Sequence, residues 1–249
     1  MEKKQQQFPT EEVTLPSKGL LYPEGSPLKK GALEMKYMTA REEDILTNQN
    51  LIENGTVIDK LLQSLIITPI NYDDLLLGDK NAILIAARIL GYGKDYEFDH
   101  NGKPHIVDLT NINDKSLNES LITNGENKFY YTLPTTKVEV TFKLLTHGDE
   151  KAITAEIKGL KRLNKDSSSS VSTRMKHMIT SVGGNSESKT IREFVDNQLL
   201  ARDARELRNH IAEIQPDVDL TYEYEDKNGD FVKIGIPIGL NFFWPDTEL

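Results

Sequence analysis

Apolar residues recur along this chain with two different periods, and the changes of period mark the elements. Between Thr39 and Gly91 the spacing is helical. Val57, Ile58, Leu61, Leu62, Leu65 and Ile66 share one face at a period of about 3.6 residues, a stripe that calls for burial. Thr39 with Glu42, and Thr56 with Asp59, have the spacing of capping boxes, in which side-chain oxygens accept from the first free amides of a helix. Asn71 and Asp74 open a short turn that ends at Gly78. Asp79 is placed to cap a further helix through Ala82, Ile83, Ile85, Ala86 and Ile89, with Gly91 where a left-handed C-terminal residue is wanted. Short helices joined by short loops predict a compact, mostly antiparallel bundle.

Alternation then replaces the helical period. Tyr96-Glu97-Phe98-Asp99 and Ile106-Val107-Asp108-Leu109 flank Asn101-Gly102, the strongest short signal for a type I′ hairpin. Residues 129–133 and 138–144 predict a second hairpin across 134–137, while 111–127 show no clear period. A helix follows over 149–163, with Ile153, Ile157 and Leu160 along one side. Residues 171–182 read as a short helix ending at Gly183-Gly184. Thr190 and Glu193 have capping-box spacing and open one long helix to about Ile214, stopped by Pro216. Residues 218–224 and 231–238 form a third hairpin around Asn228-Gly229. The two Asn-Gly hairpins look alike only with a one-residue offset, so they are similar modules and not proof of a repeat.

Residues 1–38 break both periods. Pro9, Pro16, Pro23 and Pro27 with Gly19, Gly25 and Gly31 block helix and predict an extended arm. Leu15, Leu20, Leu21, Tyr22, Leu28 and Leu33 give that arm apolar anchors. It either wraps its own domain or lies along a neighbouring subunit as an added strand. The fold class expected is α+β: arm (1–38), small helical bundle (39–95), antiparallel hairpins and a helix (96–163), a Ser-rich linker (164–173), then a long C-terminal helix followed by a terminal hairpin (174–249).

Composition narrows the function classes. The chain has 249 residues, and its net charge of −9 opposes loose binding to nucleic acid or anionic lipid. No apolar run is long enough to span a membrane, and MEKKQQQFPTEE lacks the apolar core of a secretory signal. There are 0 cysteines, which removes disulfides and thiolate metal sites.

Chemistry is sparse. No phosphate loop, nucleophile elbow or paired-histidine zinc motif is present, and Gly91-Tyr92-Gly93 reads as a helix end. The pairs in Asp73-Asp74 and Glu42-Glu43-Asp44 sit in first helical turns, where the helix dipole favours negative charge. His100 and His105 bracket the first Asn-Gly turn, and with Asp99 they still make an incomplete zinc site, so no metal and no cofactor is expected. Arg202, Arg205 and Arg208 share a rough helical face with Asp203 and Glu206 interleaved. That pattern reads first as a solvated salt-bridged face, then as a partner surface. Phe242, Phe243 and Trp244 close an apolar ending suited to a core or to an interface.

Several stretches together resemble the T4-type baseplate hub and hub-assembly proteins of tailed phages. They are Leu15-Pro16-Ser17-Lys18-Gly19-Leu20-Leu21-Tyr22-Pro23, Met38-Thr39-Ala40-Arg41-Glu42-Glu43-Asp44-Ile45-Leu46, Gly55-Thr56-Val57-Ile58-Asp59-Lys60-Leu61-Leu62 and Leu75-Leu76-Leu77-Gly78-Asp79-Lys80-Asn81-Ala82, with the looser Phe242-Phe243-Trp244-Pro245-Asp246 ending. The resemblance is dense over about the first 98 residues and implies a non-enzymatic, chaperone-like or structural protein of the tail baseplate, made late and acting in the host cytoplasm or in the virion. Its implied partners are other tail proteins or further copies of itself, with neither nucleic acid nor membrane. A non-catalytic adaptor for one host or phage protein is the alternative. Many relatives carry Cys-x-x-Cys knuckles where this chain has its Asn-Gly hairpins, so no zinc site carries over. Leu15, Leu20, Leu21, Tyr22, Phe242, Phe243 and Trp244 are the expected partner contacts.

Overall fold

A computed structural model describes residues 9–123, 125–163, 170–225 and 229–243. The architecture is α+β, with helices and several small antiparallel sheets. The N-terminal segment departs from an extended arm. Strand β1 (Thr10–Thr14) pairs antiparallel with β2 (Ala32–Lys36), Val13 lying opposite Leu33. Between them the prolines and glycines fold the chain back on itself. Gly19 has φ 74°, and a Cβ there would sit 2.4 Å from the Lys29 carbonyl oxygen, so backbone meets backbone where only glycine fits. Leu15, Leu21, Tyr22, Leu28 and Leu33 are buried beneath this loop in the chain's own core.

The bundle comprises α1 (Ala40–Leu46), α2 (Gln49–Glu53), α3 (Val57–Leu65) and α4 (Leu77–Tyr92). Glu42 reaches back to the Thr39 amide at 3.0 Å, as the capping box requires. On α3 the stripe Val57, Leu61, Leu62 and Leu65 is buried. The Thr56–Asp59 pair differs: Thr56 makes no side-chain cap, and Asp59 instead accepts from Lys80 and Tyr72. Helix α4 starts before Asp79, which is therefore a buried first-turn residue and not the cap. It ends at Gly93, with φ 86°, while Gly91 stays helical against Met38.

Strands β3 (Asp95–His100) and β4 (Lys103–Asp108) form the first hairpin. Asn101 and Gly102 take φ 54° and 72°, the paired left-handed residues of a type I′ turn. Strands β5 (Phe129–Thr132) and β6 (Glu139–Phe142) form the second, and α5 (His147–Leu163) follows. Helix α6 (Ser170–Met178) is shorter than expected, because residues 179–182 leave it as strand β7 (Ile179–Val182), the third of a sheet ordered β5-β6-β7. The β-branched run of Ile179, Thr180 and Val182 suits a pleated strand better than a helix. Ser170 to Thr173 are helical where a linker is expected, and residues 164–169 lie outside the described residues.

The long C-terminal helix is two helices, α7 (Ser188–Asn197) and α8 (Ala201–Ile214). Thr190 lies inside α7 and does not cap it. The apolar phase explains the break. At about 100° per residue, Ile191, Phe194 and Val195 would fall on roughly the opposite face of one continuous helix from Leu207, Ile211 and Ile214. All six are buried, so the helix must stop and turn. Strands β8 (Thr221–Glu225) and β9 (Phe231–Gly235) make the terminal hairpin, whose Asn228 lies outside the described residues. Most of the buried apolar side chains, from Leu15 to Phe243, join into one cluster, with Leu145 and Ile153 outside it.

Candidate binding groove and its buried charges

Charged side chains enter this core at a few points, and each has a definable task. Asp79 is fully buried. It accepts from the Ser17 amide at 2.9 Å, the Ser17 hydroxyl at 2.7 Å and the Tyr22 hydroxyl at 2.7 Å. Tyr22 in turn accepts from the Leu76 amide at 3.0 Å. Burial pushes the Asp79 carboxyl above its usual range, and the Ser17 and Tyr22 donors oppose that shift. The network fastens the N-terminal loop to the first turn of α4. Glu42 is a second such tie, accepting from Lys36 and Ser64 as well as Thr39. A third is Asp203, which accepts from the Thr135 and Thr136 amides at 2.8 and 3.0 Å and caps the turn between β5 and β6. Asp203 thus leaves the solvated face expected for it, whereas Arg202, Arg205 and Arg208 are exposed.

A polar cluster lies where α3, α4 and α5 meet. The Lys80 ammonium is 3.2 Å from His147 Nδ1 and 2.6 Å from Asp59. Lysine can only donate, so Nδ1 accepts and the ring proton sits on Nε2, facing Asp59 at 3.7 Å and Asp73 at 4.0 Å. Tyr72 packs edge-on against the imidazole at 4.6 Å. Burial and the Lys80 charge hold His147 below its ordinary pKa, against the pull of Asp59 and Asp73. A neutral imidazole with one nitrogen already taken by lysine joins the elements and is not poised as a base.

A groove of about 1140 Å³ lies between β3 and residues 237–242. Its apolar wall includes Tyr96, Phe98, Pro237, Leu240 and Phe242. Arg88 of α4 also lines it, only 2% exposed. The guanidinium donates to the Gly93 and Asp95 carbonyls at 2.9 and 3.2 Å and lies 5.4 Å from the Tyr92 ring centre. It has no carboxylate partner among the described residues, and its Nε–H is buried without an acceptor. Asp95, Glu97 and Asp99 point outward along the rim.

The residues expected to contact a partner are placed otherwise. Leu15, Leu21, Tyr22, Phe242 and Phe243 are buried within the chain, Leu20 is half-buried, and Trp244 lies outside the described residues. For Leu15, Leu21, Tyr22, Phe242 and Phe243 the apolar character signalled burial, and the surface that buries them is the protein's own. The His100 and His105 rings are 6.3 Å apart, and among the described residues no group of three or more His, Asp or Glu is arranged to hold a metal. Among those residues no helix is long and apolar enough to cross a membrane. Arg88 was not singled out from sequence. A lone arginine in the apolar stretch around Ile85, Ala86, Ala87 and Ile89 was the available signal. No family model, curated protein or solved structure matches the chain.

Proposed function

We propose that this chain is a structural or assembly protein of a phage-tail baseplate hub, acting by protein–protein contact and not as an enzyme. The observation that carries it is where the stretches resembling that family lie. Ser17 and Tyr22 of the first bond Asp79 of the fourth, and Asp59 of the third pairs with Lys80 of the fourth at 2.6 Å. Stretches far apart in sequence thus interlock as one unit, as expected if they are shared because of a common fold. The buried carboxylates support the non-enzymatic part: Asp79, Glu42 and Asp203 use their oxygens on amides, hydroxyls and one lysine. Exposed apolar side chains on the small sheets, Ile106, Tyr130 and Phe231, supply contact surface for neighbours. The same surface fits a non-catalytic adaptor, and only the partner separates the two. The test is a pull-down of the tagged full chain from infected cells sampled through tail assembly. Co-purification with tail proteins is expected. A chain that migrates alone at every stage overturns the proposal.

A further inference from the structure

The groove beside β3 has a property that its apolar wall alone would not give. The Leu109 amide donates to the Lys94 carbonyl at 2.8 Å, which fixes the hydrogen-bonded pairs of the hairpin. In an antiparallel ladder these alternate, so Lys94, Tyr96, Phe98 and His100 bond toward β4. The backbone groups of Asp95, Glu97 and Asp99 point the other way, along a free edge. Arg88 takes the Asp95 carbonyl, and those of Glu97 and Asp99 have no backbone partner among the described residues. An open strand edge beside an apolar wall is the arrangement used for strand addition.

Arg88 adds the second constraint. It stands at the Asp95 end of that edge, buried and without a carboxylate partner among the described residues. A buried guanidinium with only carbonyl acceptors is missing the partner that would best repay its lost hydration. We propose that the groove takes the C-terminal end of a partner protein as an extended strand antiparallel to β3, with its terminal carboxylate on the Arg88 guanidinium. The direction follows from the placement. A strand running from the Asp99 end to the Asp95 end has its terminus at Arg88. The rim selects the rest of the ligand: Asp95, Glu97 and Asp99 lie on one outer face, so cross-strand neighbours there are favoured as Lys or Arg and disfavoured as Asp or Glu. That same rim argues against a polyanion as the group that reaches Arg88.

The experiment uses the full chain and a library of random peptides displayed with free C-termini. The enriched sequences are then synthesised with fluorescent labels and titrated by anisotropy, each as the free acid and as the C-terminal amide. Expected is enrichment of apolar sequences with basic residues at alternate positions, and binding at least about tenfold weaker for the amide. Glu97→Pro removes an outward amide from an edge strand, where proline is tolerated, and is expected to abolish binding with the circular dichroism spectrum unchanged. Arg88→Met is expected to erase the difference between acid and amide. If that variant fails to fold, amidation and Glu97→Pro still decide. No enrichment, equal binding of acid and amide, binding that depends on an internal Asp or Glu, or wild-type binding by Glu97→Pro each overturns the proposal. It stands on the groove's geometry, so its failure leaves the baseplate proposal standing, and a failed pull-down leaves this one standing.

Discussion

Three buried carboxylates do opposite things to stability as the solution is acidified. Burial works against ionisation of Glu42, yet Lys36, Thr39 and Ser64 outweigh it and bring its pKa from 4.5 to about 2. Asp203 behaves alike, opposed by burial and held at about 2 by Thr135 and Thr136, from an ordinary value of 3.8. Both bind protons more weakly folded than unfolded. Their stabilisation is complete above the unfolded values and is lost as the pH falls through the folded ones. Asp79 has the reverse sign, because burial raises its pKa and protonation relieves a cost. The wild-type melting temperature is therefore expected to fall between about pH 5 and about pH 2. The double variant Glu42→Gln, Asp203→Asn should be less stable at neutral pH and show a shallower decline, while Asp79→Asn should show a steeper one. Parallel melting curves for all three across that range would refute the assignment. Of these groups only Glu42 was legible in the sequence, since a capping box is local. Asp79 and Asp203 are defined by partners far away in the chain, Tyr22 and Ser17 at 57 and 62 positions from Asp79 and Thr135 at 68 from Asp203.

The elements were legible where a local rule is sufficient. The Asn-Gly hairpin of β3 and β4 and the stripe on α3 follow from turn chemistry and periodicity alone. The boundaries that moved were set by tertiary contacts. In the first turn of α4 Gly78 lies against the Pro216 strap that follows α8, and a Cβ there would clash with the Pro216 carbonyl oxygen. Helix α7 ends where continuing would turn its buried face away from the core. This gives a paired prediction. Gly78→Ala should destabilise the protein by more than about 2 kcal/mol, since the obstacle is backbone and cannot swing aside. Gly159→Ala, in the middle of α5 with nothing within 4 Å, should stabilise by up to about 1 kcal/mol. Urea unfolding of both measures the contrast, and a mild Gly78→Ala would mean that α4 and the strap are free to separate.

At the scale of the whole molecule the N-terminal loop changes meaning. Read from sequence, residues 1–38 are an extended arm that either wraps its own domain or lies along a neighbouring subunit. In the structure the segment is a wall of the core. It brings Leu15, Leu21, Tyr22 and Leu28 into the common apolar cluster and carries both Ser17 and Tyr22 to Asp79. Burying a large aliphatic or aromatic side chain contributes roughly 1.5–3 kcal/mol, and a domain's whole stability is about 5–15 kcal/mol. Removing four such side chains together with β1 is comparable with that whole stability. Deletion of residues 1–30 is therefore expected to collapse the cooperative melting transition of the entire protein. Asp79→Ala cuts the same latch while keeping the chain intact and strands the Ser17 and Tyr22 donors in the core, which should cost about 3 kcal/mol. Calorimetry on both variants decides the matter. If the truncated chain melts cooperatively near the wild-type temperature and Asp79→Ala is neutral, the segment is a detachable arm after all, and its leucines return to being candidates for contact with a partner.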